Sequence, residues 1–326
     1  MFVAPCNKIS IELPEETYSI KINYSGQVVH WWYTTISDTY VSLSLYSAWF
    51  PIIGGNIENP IDKIVSIKGL EDFIILKGKK QEDTWIYKCK DFDCNILAVK
   101  DWVVTSVNNI QPKLNVYVCG NKKNDAEIIC KSFHNILKFY LELFKDKSVS
   151  MESFDILITD TDKDSGGYCR EGLIVLSKLS SKIVDTESLL AHEFAHIWST
   201  GASVSSWEDW LNETFAETLA LFYIEKEYGK IIYMDRINSI KEKAIKFPAI
   251  KTKDGKRPDG VHHKGTYLMY LLRDKFGDEV LKTIIKLFVK LEVKTTENLL
   301  NSIRSNISEN VAEFISVNLN KEEYTS

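Results

Sequence analysis

The chain has 326 residues, 44% hydrophobic and 26% charged, which is enough apolar material for about two globular domains. Forty basic against forty-five acidic side chains leave a net charge of −5, without the basic stripe that marks a nucleic-acid binder. No apolar run reaches the roughly 18 residues that span a bilayer, and the start MFVAPCNKIS lacks the features of a signal peptide. Neither nucleic acid nor membrane is an expected partner, and a cytoplasmic location is expected. The six cysteines, Cys6, Cys89, Cys94, Cys119, Cys130 and Cys169, show no repeated pairing, so reduced thiols are expected in place of a disulfide framework or a Cys-only metal site.

Residues 1 to about 112 read as β-structure. Short segments rich in β-branched and aromatic residues recur at Tyr18–Tyr24, Gln27–Tyr33, Tyr40–Tyr46, Ile61–Ile67, Thr84–Lys88 and Trp102–Val107. Ser25-Gly26, Gly54-Gly55 and Asn59-Pro60 mark turns between them. After Pro112 the periodicity changes. A strand at Leu114–Cys119 leads into an amphipathic helix from about Asn124 to Phe144, followed by strands at Phe154–Thr159 and Gly172–Leu176. From about Asp185 onward nearly everything reads as helix. The expected organisation is α+β, with an N-terminal antiparallel β-domain over 1–112 and a mostly helical domain over 113–326.

Within the helical half, TESLLAHEFAHIWST contains His192-Glu193-Phe194-Ala195-His196, an H-E-x-x-H motif. Histidines at i and i+4 share one helix face about 6 Å apart, so both imidazoles can reach one metal ion. Glu193, beside the first histidine, can take a proton from a water activated there. Thr186 is placed to cap the helix, and Leu189, Leu190, Ala195 and Ile197 supply its apolar stripe. One zinc ion per chain is the expected cofactor. A catalytic zinc needs a third protein ligand and an open position. Glu213 and Glu217, on one face of the next helix, both qualify by spacing.

HEFAHIW followed by EDWLNETFAE resembles the zinc-site signature of the membrane-alanyl-aminopeptidase family of gluzincin metallopeptidases. The resemblance implies that Glu213 is the third ligand, after a loop two residues shorter than the family's. It extends to Ser47-Ala48-Trp49-Phe50-Pro51, to Asn95–Val104, to the cleft strand Gly166-Gly167-Tyr168-Cys169-Arg170-Glu171-Gly172-Leu173-Ile174, to Val261–Gly265 with LLRDKFGDEV, and to Thr295–Val317. It implies a thermolysin-like catalytic domain and a peptide or small-amide substrate. The family continues into a large C-terminal helical domain where this sequence stops, which implies a more open cleft.

Two positions depart from the family pattern. The cleft-strand glutamate that binds a free α-amine is matched by Cys169, and Glu171, on the same side of an extended strand, is the substitute to consider. The tyrosine that stabilises the oxyanion is matched by His262, which can donate an N–H in its place; Tyr267 is the other candidate, and His263 is expected at the surface. The expected site is therefore His192, His196 and Glu213 as ligands, Glu193 as general base and His262 as oxyanion donor. Gly166, Gly167, Tyr168, Cys169 and Glu171 line the substrate. Asn212, Glu217 and Asp209 are candidates for orienting the ligand histidines. A zinc-dependent peptidase of aminopeptidase type is the implied function. An endopeptidase, a small-amide hydrolase and a non-catalytic zinc-binding scaffold are the alternatives that the two departures leave.

Overall fold

The computed structural model describes residues 10–15, 17, 19–28, 34–47, 49–51, 62–90, 93–108, 112–120, 123–145, 152–159, 166–170 and 172–324. They divide into two compact units, Met1–Trp102 and Val103–Ser326.

The first unit is antiparallel β-structure. Its strands are β1 (Thr35–Ile36), β2 (Tyr40–Leu43), β3 (Lys63–Ile67), β4 (Ile74–Ile75), β5 (Lys79–Gln81), β6 (Thr84–Cys89) and β7 (Ile96–Val99). One sheet has the order β1-β2-β7-β4 and the other β3-β6-β5. Alternation in β3 turns Lys63, Val65 and Ile67 toward the protein and Ile64 and Ser66 toward solvent, whereas β7 is buried throughout. The core gathers Val41, Ile75, Tyr87, Ile96 and Ala98 around Cys89 and Cys94, which form no disulfide. Trp49 donates its indole N–H to the Cys94 carbonyl at 3.1 Å.

The strand expected at Tyr18–Tyr24 does not form. Residues 19–24 carry no regular structure, and Ile20, Ile22 and Tyr24 are exposed. β-Propensity measures fit to a half-buried pleated surface, and these residues have no such surface to join. Tyr18, residues 29–33 of the next expected strand, Ala48, and the turns at Gly54-Gly55 and Asn59-Pro60 lie outside the described residues.

The second unit opens with β8 (Val103–Val107), β9 (Lys113–Val118) and α1 (Lys123–Phe144). It continues with β10 (Ser153–Ile158), β11 (Gly167–Arg170) and β12 (Leu173–Leu176). The five strands order as β11-β12-β10-β9-β8. The three inner strands are parallel and the two outer ones antiparallel to their neighbours. Because β8 is hydrogen-bonded to β9, the segment read from sequence as the last N-terminal strand belongs to this sheet, and the units part upstream of residue 112. Six helices follow: α2 (Ile183–Ala195), α3 (Trp210–Ala244), α4 (Val261–Phe276), α5 (Asp278–Lys290), α6 (Thr296–Asn306) and α7 (Glu309–Leu319). Gly229, at φ 84°, breaks α3 into two runs. N-terminal antiparallel sheets followed by a mostly helical unit match the α+β class expected from sequence. Among the described residues, no helix is long and apolar enough to cross a membrane.

Candidate active site

Helix α2 carries no glycine or proline, and its Leu190, Ala191, Phe194 and Ala195 are buried. Phe194 packs against Phe133 of α1 at 4.6 Å between ring centroids and edge-on against Phe154 of β10 at 5.2 Å. Just past the helix, Trp198 stacks on Phe144 at 5.2 Å. Thr186 does not cap the helix: the N-cap is Lys182, without a side-chain cap. Thr186 is instead buried one turn inside, where its hydroxyl accepts the Ser180 backbone N–H at 2.9 Å and folds the preceding loop back. The chain also places a buried carboxylate, Glu187, between three helices. It accepts hydroxyl hydrogen bonds from Ser132 of α1 at 2.7 Å and from Tyr223 and Tyr228 of α3 at 3.0 and 2.7 Å. These contacts fix the rotation of α2 and so the direction in which its histidines project.

The rings of His192 and His196 stand 5.0 Å apart at 86°. Their nitrogens and a Glu213 carboxylate oxygen all lie within 4.8 Å of one another. Spacing along α3 leaves Glu213 and Glu217 equivalent, but the geometry separates them. Glu213 Oε2 is 3.5 Å from His192 Nε2, whereas Glu217 Oε2 is 2.8 Å from Nδ1 of the same ring. The two carboxylates take opposite nitrogens of one imidazole, and Glu217 is the one that orients it. His196 Nδ1 is 3.4 Å from the Ser199 hydroxyl.

Asn212 and Asp209 hold the α2–α3 connection and not a ligand histidine. Asn212 bonds both the N–H and the carbonyl of Ala202, at 3.1 and 3.0 Å, and donates to Asp209 at 2.8 Å. Arg257 Nε donates to the other Asp209 oxygen at 2.5 Å. Burial and the nearby Glu213 push Asp209 up to about 6, against the pull of Arg257 and Asn212.

The electrostatics of the cluster suit a cation. Burial works against charge on Glu213 and Glu217, yet their bonds to His192 and the field of the neighbouring histidines hold both below the ordinary carboxylate range. Burial also opposes a charged His192, but the same two carboxylates raise it well above the usual imidazole value. Burial brings His196 down to about 4, so it presents a neutral nitrogen. Two imidazoles and one carboxylate, with a second carboxylate behind the first ring, form a donor set that fits zinc and leaves a fourth position open. Glu193 is 5% exposed, and burial pushes it up to about 7.

The opposite wall is β11. A side chain at Gly167 would come within 2.9 Å of the Val175 carbonyl and 3.1 Å of Glu193 Cγ, so the strand passes directly beside that carboxylate. Tyr168 is buried, Gly166 and Cys169 are half-buried, and Glu171 lies outside the described residues. Arg170, which sequence reasoning passed over, sets its guanidinium 5.5 Å from the centre of the Tyr168 ring and donates to the Cys169 carbonyl at 2.7 Å.

His262 stands in the first turn of α4. The approach of α4 to α3 depends on Gly265, where a Cβ would lie 1.8 Å from the Thr214 hydroxyl. Burial lowers His262 below its ordinary value while Glu213 and Glu217 pull the other way, which keeps a neutral ring with an N–H to offer. Tyr267 is 5% exposed in a cluster with Leu221, Tyr233 and Ile237 and packs on Tyr270 at 5.8 Å, a core role. His263, expected at the surface, is half-buried between His262 and Phe247, with ring centroids at 3.7 and 6.1 Å.

No protein-family model and no curated protein sequence matches the chain. Solved structures do resemble it in fold. An M1 zinc metallopeptidase from Deinococcus radiodurans superposes with a TM-score of 0.59 at 12% identity, over 88% of this chain and 64% of that one. A mutant of that enzyme bound to a Tyr-Ser-Ala substrate gives the same values. Leukotriene A4 hydrolase from Saccharomyces cerevisiae superposes with a TM-score of 0.62 at 15% identity, over 80% of this chain and 45% of that one. The chain thus spans under two thirds of the bacterial enzyme's length and under half of the yeast enzyme's, and shares their fold.

Proposed function

We propose that this protein is a zinc-dependent peptidase in which Glu193 is the general base. The observation that carries the reading is the convergence of His192, His196 and Glu213 donor atoms within 4.8 Å, with the buried Glu193 beside them. A bound zinc ion supplies Lewis acidity, which in such sites brings the pKa of water down to about 7. Glu193, buried beside the donor cluster, is placed to accept that proton and deliver it to the leaving amine nitrogen. Glu217 holds Nδ1 of His192 and so turns Nε2 toward Glu213, where the two would hold a zinc ion together with His196. His262 offers an N–H to the carbonyl oxygen as it gains charge, and Tyr267, committed to the core, does not. The edge of β11 aligns an extended peptide through main-chain bonds.

A fold shared with metallopeptidases is in keeping with this reading, and the intact base favours an enzyme over a zinc-binding scaffold. A thiol at Cys169, where the resembling family places its amine-binding glutamate, favours cleavage that does not depend on a free α-amine; Glu171, the other candidate for amine binding, lies outside the described residues. The test is Glu193→Gln: zinc content stays at one per chain while peptide cleavage falls by about 10²–10⁴-fold, the usual worth of a general base. A variant that cleaves as fast as the parent, or a parent that neither binds nor is stabilised by zinc, overturns the proposal.

A further inference from the structure

The loop from 246 to 260, which joins α3 to α4, is stitched to the α2–α3 connection by main-chain bonds. Trp207 donates its N–H to the Gly255 carbonyl at 3.2 Å, and Arg257 donates its own to the Ser205 carbonyl at 3.1 Å. Between them lies an antiparallel bridge of Ser206 with Lys256. Arg257 is thereby a fixed point of the backbone, five residues ahead of His262. Its side chain is fixed as well, because Nε donates to Asp209, whose other oxygen is held by Asn212.

Asp209 stands four residues before Glu213 and has helical backbone angles, φ −59° and ψ −14°, so the two carboxylates lie on one face about 6 Å apart. Arg257 therefore sits one helical turn from the candidate zinc ligand, where it feels the charge of Glu213 and in turn acts on His262. A guanidinium carries five N–H donors in a planar fork, and Asp209 takes the one on Nε. Among the described residues nothing bonds Nη1 or Nη2, and neither nitrogen is sealed from solvent. Asp209 offsets part of the charge but sets the plane of the fork, and the field of the exposed Asp259 is screened by water. Four oriented donors are left beside the donor cluster, and they match a planar carboxylate through two parallel bonds.

Resting on the peptidase reading above, we infer that Arg257 is a specificity-determining residue whose Nη fork receives a substrate carboxylate. At about 3.3 Å per extended residue, that carboxylate lies within about three residues of the cleaved bond. It comes from an Asp or Glu side chain or from the free C-terminus of a short peptide.

The test compares zinc-loaded protein on peptides that differ only by Glu or Gln at each of the three positions on either side of the scissile bond. A further arm pairs short peptides ending in a free carboxylate with their C-terminal amides. At one position or at the terminus, kcat/KM should favour the carboxylate by about tenfold, carried by KM. Arg257→Lys keeps a cation for Asp209 but loses the fork, and should retain only part of that ratio. Arg257→Gln alone leaves Asp209 buried without its partner, so Asp209→Asn with Arg257→Gln is made beside it and should bring the ratio to about one. Binding of the same peptides to zinc-loaded Glu193→Gln protein, followed by fluorescence anisotropy, should show the same preference without turnover. Cleavage of all peptides without carboxylate preference, or a preference that survives the double substitution, overturns the role of Arg257 and leaves the peptidase reading standing. Binding of carboxylate peptides that depends on Arg257, with no cleavage of any peptide, does the reverse.

Discussion

The two walls of the candidate cleft are determined at different ranges along the chain. On the helical wall, His192 on α2 and His196 at its C-cap are four residues apart, and Glu213 and Glu217 four apart on α3, so helix geometry alone nearly places all four. On the strand wall, β11 owes its position to β12 and its exposed edge to the phase of one ladder. His262 owes its position to the contact of Gly265 with Thr214. Local periodicity therefore places the candidate metal donors, while long-range packing decides what is brought to them. The helical wall keeps the residues of the family it resembles, and the two departures, Cys169 on β11 and His262 on α4, lie outside it.

Substitutions that act on one wall and spare the other sharpen this contrast. The largest effect is expected behind the helical wall. Glu217→Gln leaves the three ligands in place but loosens His192, and zinc affinity measured by chelator competition should fall by about 10–100-fold. Glu213→Gln should cost more, because it alters a donor and not its support. Equal losses from the two would contradict their placement on opposite nitrogens. An intermediate effect is expected at the α3–α4 contact. Gly265→Ala overpacks the crossing at Thr214 and should destabilise the protein by about 1–3 kcal/mol in denaturant titration. Thr214→Ala in the same chain should recover much of that loss, and a Gly265→Ala protein as stable as the parent would remove the crossing as the reason for glycine.

The smallest effect is a pH dependence at His263. Burial and the adjoining His262 bring it down to about 4, below the ordinary imidazole value of 6.5. The unfolded chain therefore binds more protons between those two values, so stability rises with pH across that window and is lost as pH falls through it. His263→Phe should flatten this part of the stability profile relative to the parent. Identical slopes in the two proteins would count against its burial.

The sequence made legible what repeats at helical spacing. His192 and Glu193 lie in α2 as expected, with His196 as its C-cap residue, and α1 begins and ends within a residue of its expected bounds. Spacing could not divide Glu213 from Glu217, because the difference lies in which face of one imidazole each meets. The same limit applied to Asn212 and Asp209, whose partners are Ala202 and Arg257 across loops. Thr186 satisfied the composition rule for a cap, but the helix starts a turn earlier and recruits its hydroxyl for Ser180. Arg257 was hidden because its bond to Asp209 spans 48 residues of chain, which spacing along a helix does not register. A basic residue five positions ahead of His262 was the available signal.

The three hydroxyls on Glu187 and the aromatic packing around Phe194 and Trp198 have a consequence for how zinc enters and leaves. They orient α2 through contacts that do not use the donor nitrogens. Metal uptake is then a docking event on a finished scaffold, unlike small zinc domains whose chains collapse only around the ion. A chelator should leave the helices standing, and zinc should add stability gradually by mass action, about 4 kcal/mol at a thousandfold excess over its dissociation constant. On the peptidase reading, removing and restoring the ion would switch activity off and on without refolding the chain.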